Sequence, residues 1–195
     1  MKIKFTNFLC FVMCATIIVT SCKKNKNSVF ITNFINADSG NPVFSEGLAS
    51  VPSGGLYGYI NKSGKIIISY QFQNAQRFSE GLAAVKRNSK WGFINKEGKI
   101  VVNYQYDEVG QFLEGLAQVK SGDKWGYIDR EGKVVIPYQF DFALSFWEGL
   151  APVLNGRKMG YIDKEGKVII SYQFDIAGQF LEGLAQVKSG DKWGY

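Results

Sequence analysis

Histidine is absent from the 195 residues of this chain. That removes the commonest general base, triad partner and imidazole metal ligand together. Cysteine is scarce: Cys10, Cys14 and Cys22 are the only three, all near the start, so the body of the chain has no thiol for catalysis, a metal or a disulfide. A surplus of one charge sign is also missing. The formal charge is +6, yet five of the 23 basic residues are Lys2, Lys4, Lys23, Lys24 and Lys26, and no acid precedes Asn27. The remaining 18 bases face 17 acids, whereas a surface that neutralised phosphates would carry its excess charge on the folded part. Nucleic acid is therefore not an expected partner. The one extended apolar run, Phe5 to Ser21, is 17 residues with Thr6 and Asn7 inside it, short of the ~20 that a spanning helix needs.

What the chain has instead is repetition. Displacing the sequence by 34 residues aligns Tyr57-Gly58, Trp91-Gly92, Trp125-Gly126, Met159-Gly160 and Trp193-Gly194. At the same spacing Phe44, Phe78, Phe112, Phe146 and Phe180 each open an F-x-E-G-L-A box. The segment GQFLEGLAQVKSGDKWGY stands at Gly110 to Tyr127 and again, letter for letter, at Gly178 to Tyr195. On these motifs the chain resembles the WG repeat family, also called KWG repeats, whose signature is Trp-Gly, an aromatic, Ile, Asp or Asn, and then Gly-Lys. The resemblance runs from about Phe44 to the end. It implies an architecture more than an activity, because the family is mostly described as bacterial proteins of unknown role.

Helical tetratricopeptide arrays share the period of 34, so the residues must choose between helix and strand. Each unit has glycines in the Trp-Gly pair, in the K-E-G-K turn and in the F-x-E-G-L-A box, and no useful helix avoids all three. Between them lie the branched runs Ile100-Val101-Val102, Val134-Val135-Ile136 and Val168-Ile169-Ile170, as strands require. The expected fold is all-β: a tandem array of 34-residue, three-stranded antiparallel units, with strands at Leu82 to Lys86, Lys90 to Asn95 and Lys99 to Asn103 in the second. Asn95 to Lys99 has the residues of a type I turn with a G1 bulge, Gly98 taking positive φ. Tyr104 to Phe112 is expected to form a crossing loop or a single helical turn. Strand alternation places Trp91 and Phe93 on one face and Gly92 and Ile94 on the other, with Gly92 admitting a close neighbour. A lone meander of this size cannot bury its apolar face, so units must stack, in an open or spiralling array or, as the alternative, in a closed propeller-like ring. Residues 42–195 would hold about four full units and a partial fifth, a pattern expected of a fragment of a longer array.

The N-terminus carries a different signal. Lys2 and Lys4 precede an apolar run that ends in small residues, which is the pattern of a secretion signal over residues 1–21. Val19-Thr20-Ser21-Cys22 resembles the lipobox of bacterial lipoproteins. That resemblance implies cleavage before Cys22 and acylation of it, and so a lipid-anchored protein of the bacterial envelope, on the outer-membrane or periplasmic side. Within residues 22–41, Lys23 to Asn27 reads as a flexible tether and Val29 to Ile35 as a degenerate capping strand.

Chemistry is harder to place. Glu46, Glu80, Glu114, Glu148 and Glu182 recur before the box glycine and are expected to accept backbone N–H groups in turns. Asp107, Glu108, Asp123, Asp141, Asp175 and Asp191 fall largely on loop positions shared by two or three units. No nucleophile, base and acid converge, so the chain is expected to be non-catalytic, with no metal and no cofactor. The positions Tyr57, Trp91, Trp125, Met159 and Trp193 are read as structural, since Met in one copy suits a core better than a ligand platform. Binding falls instead to the residues that differ between units: Arg77, Arg87, Arg130, Pro137, Phe142, Leu144, Trp147, Pro152 and Arg157. Among them Trp147, Phe142 and Arg157 form the candidate patch, Trp147 standing where other units place Ser79, Leu113 or Leu181. A protein partner is favoured, and glycan or peptidoglycan binding through an aromatic ladder is the alternative.

Overall fold

The computed structural model describes residues 42–195. The expected signal peptide over residues 1–21, the expected lipidation at Cys22, and the tether and capping strand expected within residues 22–41 all fall outside the described residues. The described chain is entirely β, without a helix, and forms five small antiparallel sheets in sequence order. The first holds β1 (Leu48–Ser53), β2 (Leu56–Asn61) and β3 (Ile66–Phe72). The second holds β4 (Asn74–Ala75), β5 (Leu82–Arg87), β6 (Lys90–Asn95) and β7 (Ile100–Tyr106). The third repeats it with β8 (Glu108–Val109), β9 (Ala117–Ser121), β10 (Lys124–Ile128) and β11 (Val134–Phe140). The fourth has β12 (Phe142–Ala143), β13 (Ala151–Asn155), β14 (Lys158–Ile162) and β15 (Val168–Phe174). The fifth has β16 (Ile176–Leu181), β17 (Leu184–Ser189) and β18 (Lys192–Gly194).

The three main strands of each unit stand where the residues place them, with two differences. The third strand begins one residue later and runs on to Tyr106, because it is strongly bulged: Trp91 pairs with Tyr106, Phe93 with Val102 and Ile94 with Ile100, so seven residues oppose four. The segment beyond it contains no helical turn. It opens with a two-residue strand, such as Glu108–Val109, that pairs with Lys120 and Val119 of the following unit and gives the inner sheets a fourth strand. Pro137 sits within the bulge of β11, where no ladder N–H is needed.

The K-E-G-K turn forms as expected: Gly98 has φ +80°, its N–H reaches the Asn95 carbonyl at 2.9 Å, and the Lys99 N–H reaches Asn95 Oδ1 at 2.8 Å. The box makes a second hairpin. Glu80 and Gly81 both take positive φ, 52° and 81°, and Ser79 and Leu82 exchange both backbone hydrogen bonds across them. This is a type I′ turn with Glu at a position that favours Asn or Gly, a strain repeated at Glu46, Glu114, Glu148 and Glu182.

Apolar layers fill the space between successive sheets. Consecutive residues of a central strand point to opposite layers, and both are buried: Phe93 is 1% exposed and Ile94 0%. The aromatic two residues after the motif Trp lies deepest. Tyr59, Phe93, Tyr127 and Tyr161 stack on the box phenylalanines Phe78, Phe112, Phe146 and Phe180, with ring centroids 4.8 to 5.0 Å apart.

Candidate functional site

The motif glycines hold the bulge together. A Cβ on Gly58, Gly92, Gly126 or Gly160 would lie 2.5 to 2.6 Å from a carbonyl oxygen of the neighbouring third strand, so only glycine lets that backbone cross here. Gly194 has nothing within 4 Å of the same position. The aromatic partners of these glycines are unequal: Trp125 and Met159 are each 7% exposed, Tyr57 and Trp91 are half-buried, and Trp193 is 54% exposed. Lys86 and Lys188 place their ammonium groups over the rings of Trp91 and Trp193 at 5.8 and 5.9 Å.

Three polar rows link one unit to the next, and all three use residues that repeat. In the first, the carboxylate of each box glutamate accepts from the box glycine of the following unit: Glu46 from Gly81, Glu80 from Gly115, Glu114 from Gly149 and Glu148 from Gly183, at 2.9 to 3.2 Å. These glutamates are backbone acceptors, as expected, but their donors lie 35 residues away rather than in their own turn. Lys96 adds an ion pair to Glu46 at 2.8 Å and holds its carboxyl below the ordinary carboxylate range. At Glu114, burial pushes the carboxyl up, and Lys164 with the Gly149 N–H more than offsets it.

In the second row, Asp107, Asp141 and Asp175 each take a lysine, Lys90, Lys124 or Lys158, and also the N–H of Gly122, Gly156 or Gly190. The ammonium and the N–H hold all three carboxyls below their usual range. In the third row, buried tyrosine hydroxyls donate to carbonyls 17 residues on: Tyr59 to Gln76, Tyr127 to Leu144 and Tyr161 to Gly178, at 2.7 to 2.8 Å. Phe93 has no hydroxyl for that role. None of these rows was visible in the sequence as a contact, although the 34-residue recurrence of Asp107, Asp141 and Asp175 was a usable signal.

The candidate patch divides between two ends of one sheet. Trp147 closes the box turn opposite Leu150, and 40% of its surface is exposed, whereas the adjacent Phe146 is 0% exposed. Phe142 pairs with Leu154 at the far end of β13; it too is 40% exposed and meets Trp125 edge-on at 6.0 Å. Arg157 is exposed on the hairpin between β13 and β14, next to the Gly156 that Asp141 binds. Phe142 and Arg157 thus share the hairpin end, and Trp147 stands apart on the row of box turns. Of the other residues that vary between units, Pro152 is buried, Arg77 reaches Gln111 at 3.4 Å, and Arg130 lies against Gly81. Among the described residues no three His, Cys, Asp or Glu side chains gather where they could hold a metal ion.

These features define a tandem all-β array whose repeated residues are spent on joining one sheet to the next. The chain belongs to the family described as "WG containing repeat", which matches at residues 57–91, 91–125, 125–158 and 159–193. No curated protein matches it. Among solved structures it is similar to a eukaryotic initiation factor, at 16% identity and TM-score 0.47, over 71% of this chain and 48% of that one. PorZ, a surface component of the type-IX secretion system of Porphyromonas gingivalis, is similar at 6% identity and TM-score 0.39, over 75% of this chain and 23% of that one. A protein of unknown function from Bacteroides caccae is similar at 16% identity and TM-score 0.36, over 74% and 65% of the two chains. The chain therefore spans from about a quarter to just under two thirds of these structures' lengths.

Proposed function

We propose that this protein is a non-catalytic binding or scaffolding module of the bacterial cell envelope, anchored by lipid at Cys22 and directed at a protein partner. One observation carries the binding reading. Trp147 exposes 40% of its surface at a position where another unit's Ser79 donates its hydroxyl to the Phe112 carbonyl at 2.7 Å. It closes no such link between units, and its ring packs less completely than any other aromatic of its box. Large, rigid aromatics and arginine dominate protein contacts because they bury much area at low entropic cost, and Phe142 and Arg157 add one of each on the same sheet. The carboxylates support the non-catalytic reading: those that recur are occupied by lysines and backbone N–H groups. The envelope and the anchor rest on the sequence pattern of Met1 to Cys22.

The test is capture by the immobilised full chain from an envelope extract divided into a protein fraction and a polysaccharide and peptidoglycan fraction. Saturable capture of one protein, weakened at least ~30-fold by Trp147→Ala in keeping with a hot-spot tryptophan, supports the reading. Capture of glycan alone, lost with Trp91 or Trp193 and not with Trp147, would replace it with the glycan alternative. Metabolic labelling with a radioactive fatty acid, abolished by Cys22→Ser, tests the anchor.

A further inference from the structure

In each of the first four units the third strand is an edge of its sheet: β3, β7, β11 and β15 each pair only with the second strand beside them. Its first two residues are branched aliphatics in every copy. All eight are 39 to 48% exposed, among them Ile100 and Val101 in β7 and Val134 and Val135 in β11. The residue after them is buried, Val102 at 3% and Ile136 at 1%. Simple alternation would put one of two neighbours inside, but a bulge takes both out of it: Ile94 stands opposite Ile100 and Phe93 opposite Val102, leaving Val101 without a partner. The turn glycines Gly98 and Gly132 rest on the preceding sheet, where a Cβ would come 3.0 to 3.3 Å from Ile68 or Val102, and so set successive edge strands side by side, at the ~10 Å of ordinary sheet packing. The aliphatic pairs therefore form a row. The sheets that hold β7 and β11 have described sheets on both sides, so the row is a property of the repeat.

Charges of both signs accompany it. Each pair in the second to fourth units follows an exposed lysine, Lys99, Lys133 or Lys167, and two residues earlier stands an exposed glutamate, Glu97, Glu131 or Glu165. None of these six side chains has a partner among the described residues, whereas Lys90, Lys124 and Lys158, at the other end of the second strands, are all taken by aspartates.

We propose that this row is a self-association surface whose occupant is the same row of a second copy of the chain. Two magnitudes favour that occupant. Eight side chains about two-fifths exposed present on the order of 600 Å² of apolar surface, at the top of the range for the largest patch on an ordinary monomer, and the stems of the adjoining lysines and glutamates bring it close to the ~800 Å² that one partner gives a standard interface. The three lysines and three glutamates cancel, which leaves little to attract an anionic lipid surface. They do suit a copy turned about a two-fold axis parallel to the strands, which brings its glutamates to these lysines and its lysines to these glutamates. Exposed ion pairs add little free energy, so the aliphatic pairs supply the affinity and the charges set the orientation. The bulge interrupts the edge as a template for a further strand, so the two copies meet through side chains. The surface is separate from Trp147, Phe142 and Arg157, and the proposal stands whether or not those residues bind a partner.

Sedimentation velocity of the full chain, from low to high micromolar concentration, tests this. The expected result is a reversible monomer–dimer equilibrium. Val101→Thr, Val135→Thr and Ile169→Thr together keep branched strand formers on a solvent face; they raise the dissociation constant ~10-fold or more, a loss of about 1.4 kcal/mol or more, while the monomer melts within a few degrees of the parent. Lys99→Glu, Lys133→Glu and Lys167→Glu leave the row with glutamate alone beside these pairs and abolish the dimer. Adding Glu97→Lys, Glu131→Lys and Glu165→Lys to that chain restores both signs and the dimer, a rescue that a role in folding alone would not produce. A chain that stays monomeric throughout, or a dimer indifferent to the threonine substitutions, overturns the proposal. So do threonine variants that melt well below the parent with no dimer to lose, the result expected of a row covered by other residues of its own chain. Capture of the monomer on vesicles of anionic phospholipid, lost with the same variants, would replace the second copy with a membrane.

Discussion

The motif glycine faces the bulged third strand in four of its five copies, and Gly194, which meets no such strand among the described residues, supplies a control. At Gly126 an added methyl would stand 2.6 Å from the Ile136 carbonyl oxygen and 2.9 Å from the Pro137 carbonyl carbon, and backbone atoms cannot swing aside as a flexible side chain can. Gly126→Ala must therefore open the bulge of β11 or push the sheet out of register, a cost of about 1 to 3 kcal/mol by analogy with overpacked cores. At this chain length that lowers the melting temperature by on the order of 2 to 12 °C. Gly194→Ala meets nothing within 4 Å and needs no unusual φ, so it stays within about 0.5 kcal/mol of the parent, or gains slightly from a stiffer unfolded chain. Both variants are compared by thermal and urea unfolding followed by circular dichroism. Equal losses at the two positions would refute the close-approach argument. They would mean that the glycines answer to some property of the motif other than the bulge opposite them.

Other expectations follow from the polar rows. Phe93→Tyr supplies the hydroxyl that its three counterparts use and, if it reaches the Gly110 carbonyl, raises stability by about 0.5 to 1.5 kcal/mol, while Tyr127→Phe loses a similar amount; urea midpoints decide both. Glu80 strains its backbone at φ 52°, and Glu80→Asn relieves that strain but gives up the carboxylate's bond to the Gly115 N–H, worth about 0.5 to 1.5 kcal/mol, so the two effects offset and the urea midpoint moves by less than either alone would give. Asp107, Asp141 and Asp175 ionise more readily folded than unfolded, so their stabilisation is complete above the unfolded pKa of ~3.9 and is lost as pH falls through the lower folded values. Melting temperatures measured from pH 6 down to pH 3 should fall less steeply for Asp141→Asn than for the parent; an unchanged acid slope would contradict that assignment.

Much of the fold was legible because its determinants are local. Asn95 and Gly98 specify their turn within five residues, the branched runs name their strands, and Gly92 announced a close approach that the bulge supplies. The bulge itself was not legible. Asn103 to Gln105, the three residues that stand opposite the single Gly92, are polar or aromatic like a loop, and only pairing of Trp91 with Tyr106 makes them strand. Glu108–Val109 was lost for the same reason, since two residues become a strand only when the next unit pairs with them. Strand alternation correctly separated Phe93 from Ile94, but it suggested one buried face where stacking buries both, and so drew attention to Trp91 instead of the deeper aromatic beside it. The box glutamates show the limit most clearly: their role as acceptors could be read from the turn, while donors 35 residues away exist only in the stacked array. At the candidate site, the outlying residue Trp147 was legible by comparison between units, whereas its separation from Phe142 depends on the length of β13.

The central claim is that repeated residues hold the array and unit-specific residues meet the partner. The most direct measurement pairs melting temperature with partner affinity in Trp125→Ala and Trp147→Ala. Trp125 is 7% exposed, and its truncation should cost about 3 to 5 kcal/mol of stability. Trp147, 40% exposed, should melt within a degree or two of the parent and lose at least ~30-fold in affinity. If Trp147→Ala instead unfolds the chain and leaves binding intact in what remains folded, or if Trp125→Ala removes binding without loss of stability, the division of labour stated here is wrong.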